Sequence, residues 1–162
     1  MHITIGAIVV AKTKKEAVEM ADSVFENLTG EHKPFDYHTT YKDEVYSLKT
    51  PAGANKVREM INGQFETFKH KLNRVREVLA TCNDHEVFNE RKDDGSSASG
   101  ALSMVRHYFY NIGEYEGPST YLYDHEGTGV RNYRQLERVI ANYDHPFAKG
   151  EKLFLVLADV HY

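Results

Sequence analysis

His2, His38, His125 and His161 each stand close to a hydroxyl or carboxylate side chain: Thr4, then Asp36 and Thr40, then Asp124 and Glu126, then Asp159. Imidazole gains and loses a proton near neutral pH and also ligates metals, so such groups offer two chemistries. In the acid–base version His38 is the first choice. Thr40 follows it at the spacing that puts both on one face of a strand, with His2 or His125 as partner from a neighbouring strand. In the metal version Asp36, Asp124 or Asp159 joins the histidines, His161 among them, around a divalent cation. A third reading is a polar strand rim whose His and Asp side chains satisfy loop amides. No H-x-x-x-H, H-x-H or C-x-x-C spacing is present, so all three readings depend on how the fold gathers these residues; the acid–base version needs no cofactor.

Two H-x-T tracts, His2-Ile3-Thr4 and His38-Thr39-Thr40, each put a histidine and a threonine on one strand face. The pairing resembles that of two-histidine phosphoesterases, in which the histidines exchange protons and the hydroxyls hold the phosphate. The likeness covers these tracts alone, and they lie closer together in sequence than in that family. Two further features suit an anion. Gly127-Thr128-Gly129 precedes a predicted helix, where backbone amides can meet a phosphate, although no G-x-x-x-x-G-K-S/T accompanies it and an ordinary strand–helix turn is the favoured reading. Arg131, Arg134 and Arg138 fall three and four apart, a basic stripe that holds an anion or is simply a solvated face. Cys82, the single cysteine, has no local histidine partner.

The elements that must position these residues are legible in the spacing of apolar side chains. Residues 2–11 alternate and then become wholly apolar, a strand with one polar end. Thr13 and Glu16 form a capping box for a helix over 14–29, with Ala17, Met20, Ala21, Val24, Phe25 and Leu28 on its apolar face and Gly30 after it. Residues 35–41 (FDYHTTY) alternate cleanly, with Lys42-Asp43 as a turn and 44–48 as a returning hairpin strand. Thr50-Pro51 opens a helix over 51–81, ~46 Å long at 1.5 Å per residue. Ile61, Phe65, Phe68, Leu72, Val75 and Leu79 form a heptad seam along it. Polar residues 83–98 read as a mobile loop, and residues 99–112 as another amphipathic helix stopped by Gly113. A strand at 119–124, a helix at 132–143 capped by Asn132, and the apolar strand 153–160 complete the chain.

The pattern predicts an α/β (α+β) protein of one domain. A first β-α-β half spans 1–48, a helical insertion 49–113, and a second β-α-β half 118–162. Right-handed crossovers make the strands of each half parallel, and the simplest closure is a ferredoxin-like split β-α-β sheet of four to five strands in the order 4-1-3-2. That order gathers the histidine-bearing strand ends at one sheet edge. The chain carries a net charge of −4, which disfavours nucleic acid as a partner. It has no apolar run of the ~20 residues a membrane span needs. A soluble, cytoplasmic protein is expected. The seam and the eleven tyrosines point to a non-catalytic binding or regulatory module. It would self-associate through its helices into a homo-oligomer and bind a small anionic ligand or a protein partner. The alternative is a small phosphoester or nucleotide hydrolase using the His/Asp-rich edge.

Overall fold

The computed structural model describes residues 1–89, 120–143 and 150–162. The chain divides into two compact units, one of residues 1–65 with 115–162 and one of residues 66–114. The elements run β1 (His2–Ala11), α1 (Lys14–Leu28), β2 (Tyr37–Ser47), α2 (Pro51–Thr81), α3 (Asp84–Asn89), β3 (Leu122–Tyr123), α4 (Tyr133–Asn142) and β4 (Lys152–His161). The fold is therefore mixed α and β around a four-stranded sheet, as the spacing of apolar residues predicts.

The strand order is β2-β4-β1-β3, which corrects the expected 4-1-3-2. β4 pairs antiparallel with both β1 and β2, so β1 and β2 are parallel with one strand between them, the split β-α-β of the first half. The second half departs from expectation. β3 pairs parallel with the outer side of β1, which leaves β3 and β4 antiparallel. The cause is the turn after β3. Asp124 N–H donates to Thr128 O (2.9 Å) and Val130 N–H to Leu122 O (2.7 Å), so the chain doubles back before α4 and enters it in the reverse sense.

β2 also differs. The expected turn at Lys42-Asp43 and the returning strand do not form; β2 runs on along β4 past an irregularity between Thr40 and Val45. Thr40 faces Ala158 and Val45 faces Val156. The surplus residues bulge out, which lets both flanks stay on the same partner. The expected loop over 83–98 begins as helix instead. Glu86 N–H donates to Asn83 Oδ1 (2.9 Å) and Asn83 N–H to Glu86 Oε2 (3.1 Å), a reciprocal cap that starts α3. The rest of that stretch, the predicted helix 99–112 and Pro146 lie outside the described residues.

Two apolar layers hold the sheet unit. Ile5, Ala7 and Val9 of β1 meet Val156, Ala158 and Val160 of β4, and α1 covers them with Ala17, Ala21, Val24 and Phe25. On the other face Ile8, Leu155 and Leu157 meet Val57, Met60 and Ile61 of α2, with Leu136, Val139 and Ile140 of α4 packed alongside. Gly6 permits this second layer, because a Cβ there would stand 2.9 Å from Met60 Cε and 2.7 Å from Leu155 Cδ1. In the second unit Val75 and Val78 of α2 are buried. Among the described residues no helix is long and apolar enough to cross a membrane.

Candidate functional site

The site is set by strand register. His2 of β1 lies opposite His161 of β4, and Tyr37 of β2 lies on the other side of His161. Directly opposed residues share a sheet face, so the three rings form one row across three strands. Tyr37 stacks on His161 at 5.0 Å between ring centres, and His2 meets His161 edge-on at 5.1 Å. The Tyr37 hydroxyl is 3.5 Å from His2 Nε2. The next row on this face is Thr4, Asp159 and Thr39.

Both histidines are held by carboxylates. His2 Nδ1 is 2.6 Å from Asp159 Oδ2, and His161 Nδ1 is 2.7 Å from Asp36 Oδ2. Asp36 is itself placed by its backbone, whose N–H donates to His161 O at 2.8 Å. A carboxylate accepting from Nδ1 fixes the ring's orientation and tautomer, and leaves Nε2 as the atom a ligand meets. Neutral, that Nε2 accepts a proton; protonated, it donates one. The side chains are partly open to solvent, His2 by 55% and His161 by 33%.

A cavity of about 320 Å³ lies one step along the same face. Thr4, which pairs with Asp159, forms one wall, and Lys56, Glu59, Met60, Gly63 and Tyr121 form others. Lys56 Nζ donates to both Glu59 carboxylate oxygens, at 2.9 and 3.1 Å, so the charged wall is paired with itself.

His38 and Thr40 do not belong to this row. Alternation along β2 puts them on the face opposite Tyr37, under α1, so the two H-x-T tracts do not pair. There His38 Nε2 meets Asp22 Oδ1 and its Nδ1 meets Thr29 Oγ1, each at 3.2 Å. Thr40 Oγ1 donates to the same Asp22 oxygen at 2.5 Å. The His38 side chain is only 15% exposed, and the arrangement reads as a clasp between α1 and β2.

His125 and Asp124 are also displaced. Because β3 is parallel to β1, with Tyr123 opposite Ala7, they follow at the far end of β1, about 20 Å from His2 at ~3.3 Å per residue. His125 packs on Tyr143 with ring centres 4.7 Å apart. The metal set of Asp36, Asp124 and His161 thus does not converge. Among the described residues no group of three or more His, Cys, Asp or Glu side chains is placed to hold a metal ion. The amides near Thr128 are occupied as well: Asp124 Oδ1 accepts from Glu126 N–H and Thr128 N–H, both at 2.9 Å. That is a turn stabilised by its own aspartate, and it offers no cradle for phosphate. Arg131 precedes α4, and Arg134 and Arg138 are exposed along it; none lines the cavity beside the row.

Sequence reasoning finds His2, Asp36, Asp159 and His161, and misses Tyr37 and Asp22. The alternation of FDYHTTY separates Tyr37 from His38, but only the partner strand decides which of the two meets His161. Asp22 carries no sequence signal beyond its place on the polar side of α1.

Fold and row together define an α+β protein with paired histidine–carboxylate dyads across three sheet strands. The whole chain, residues 1–162, matches the family described as Domain of unknown function (DUF7995), and the chain belongs to that family. No curated protein and no solved structure matches it.

Proposed function

We propose that the chain binds a small anionic ligand on the His2–His161–Tyr37 row, with the two histidines as its proton-bearing contacts. The observation that supports this is the pairing of dyads: both Nδ1 atoms are taken by carboxylates at 2.6 and 2.7 Å. That leaves the Nε2 atoms for a third group, His2 Nε2 sharing its side only with the Tyr37 hydroxyl at 3.5 Å. Protonated, each makes a charge-assisted hydrogen bond of ~2.8 Å to an anion oxygen. Ring centres 5.1 Å apart bring two such bonds within reach of one tetrahedral anion. The rings also stand on paired strands, which keeps their separation fixed while the ligand comes and goes.

The test is a titration of inorganic phosphate near pH 6, followed through the ring resonances of His2 and His161. Both should shift together along one binding curve. Asp36→Asn and Asp159→Asn should each weaken binding by about tenfold, as losing an orienting partner does. Absence of any shift at tens of millimolar phosphate overturns the reading.

Adjacent dyads also favour a second reading, in which one histidine takes a proton while the other gives one during phosphoester hydrolysis. Turnover of a phosphodiester that persists in EDTA and disappears in both His2→Ala and His161→Ala would support it. Binding without turnover would leave the first reading alone.

A further inference from the structure

We infer that the cavity beside the row receives the body of the same ligand, that this body is a single aromatic ring or an apolar group of similar size, and that Gly63 keeps the space open. The inference rests on the anion-binding reading of the row. Its own observation concerns the glycines of α2. Interior glycine weakens a helix relative to alanine, so each one calls for a reason. Gly53 has one: a Cβ there would stand 2.1 Å from Ser47 O, so any side chain would collide with the end of β2. Gly63 has none of that kind. The nearest atoms to a Cβ there would be Tyr121 Cε2 and Cδ2, at 3.6 and 3.7 Å, which is ordinary contact. A methyl group fits and would favour the helix. What its absence leaves is room in the cavity that Gly63 lines.

The cavity's chemistry selects the ligand's shape. Met60 and the Tyr121 ring supply apolar wall. The cation Lys56 is bound to Glu59, so the cavity itself offers little to a lone negative charge. The charge belongs on the histidines and the apolar part in the cavity. The two places are continuous, because Thr4 lines the cavity and pairs with Asp159, which holds His2. A volume of about 320 Å³ is at the small end for ligand sites, suited to one ring and not to a dinucleotide.

The experiment compares phenyl phosphate with inorganic phosphate by calorimetry on the full chain. Wild type should bind phenyl phosphate at least about tenfold more tightly, since burying a ring in an apolar cavity favours binding. Gly63→Leu should erase that preference and keep the affinity for inorganic phosphate. Gly63→Ala, which fits without collision, should melt at a higher temperature and lose part of the preference. Equal affinity of wild type for both probes overturns this inference and leaves the anion-binding reading standing. So does an undiminished preference in both Gly63 variants. Binding of inorganic phosphate without phenyl phosphate also overturns this inference alone; failure of both probes to bind overturns the anion-binding reading, and this inference falls with it.

Discussion

At the scale of single residues, Asp22 joins α1 to β2 through one carboxylate. The Thr40 hydroxyl hydrogen bond holds its carboxyl below the usual carboxylate range; partial burial opposes this and the His38 hydrogen bond reinforces it. The folded value lies below the unfolded one, so the stabilisation is fully present above about pH 4. It is lost as pH falls through the folded value. Thr40→Ala removes the largest of these contacts. It should cost about 1 kcal/mol at pH 7, below the ~1.5–3 kcal/mol of a buried hydrogen bond to a charged group, because the Asp22 side chain is 47% exposed. Urea unfolding at pH 7 and pH 3 should show the wild-type excess shrinking at the lower pH. An equal difference at both would detach the effect from Asp22. This clasp also explains why His38 misleads a reading of sequence. A histidine and a threonine two residues apart look alike whether they face a ligand or a neighbouring helix. Alternation tells that Tyr37 and His38 part ways, but not which face meets His161.

At the scale of elements, α2 shows where apolar spacing succeeds and where it slips. The helix spans Pro51–Thr81 as the capping threonine, the proline and the long periodicity predict, and Thr50 Oγ1 accepts from Gly53 N–H at 3.2 Å. The seam is less well foretold. In the sheet unit Ile61 is buried but Phe65 is 57% exposed, and the residue buried beside them is Gln64. A buried amide must have partners, and here they are backbone groups of the β3 region. Gln64 Nε2 donates to Val130 O at 2.8 Å, and Tyr121 N–H donates to Gln64 Oε1 at 3.0 Å. β3 is only Leu122–Tyr123, so this side chain supplies hydrogen bonds that a longer strand would find in a neighbour. Gln64→Leu keeps the volume and leaves both backbone groups without that partner. A loss of about 2–4 kcal/mol follows, at 1–3 for each unsatisfied group with some relaxation. Chemical denaturation measures it, and a loss below 0.5 kcal/mol would mean that water replaces the amide. Self-association through α2 is a proposal that now rests on exposed apolar side chains, Phe65 in one unit and Leu79, 46% exposed, in the other. Light scattering should show mass rising with concentration, and Leu79→Asp should hold the chain at monomer mass; wild type that stays monomeric at high micromolar concentration ends the proposal.

At the scale of the whole molecule, the number and type of sheet strands were within reach of sequence, and their order was not. Crossover handedness constrains β1, α1 and β2, and the two strands lie parallel as expected, although the hairpin after residue 41 does not form and β4, not β3, stands between them. The second half hinges on what happens between Tyr123 and Val130, where Asp124 organises a reversal. A short strand, a glycine-containing turn and a helix look the same in sequence whether the chain crosses over or doubles back. The order then decides which histidines meet, so the site inherited the error. The insertion is a different matter, because it can be tested by removal. Every residue of the two apolar clusters belongs to the sheet unit. So do Asp22, Asp36, Gln64, Asp159 and both row histidines. Among the described residues, 66–89 supply no member of these clusters and none of these site residues. Replacing residues 66–114 with a flexible linker of about twelve Gly and Ser residues tests this, because loop-closure entropy changes by only about 0.6 kcal/mol per halving of linker length. The shortened chain should unfold in one cooperative urea transition and keep the ring resonances of His2 and His161. Its binding of inorganic phosphate should stay within about twofold of wild type, because the contacts at the dyads are unchanged. A shortened chain without a cooperative transition would show that the sheet unit draws its stability from the second unit. A folded chain that no longer binds would place part of the site's support there.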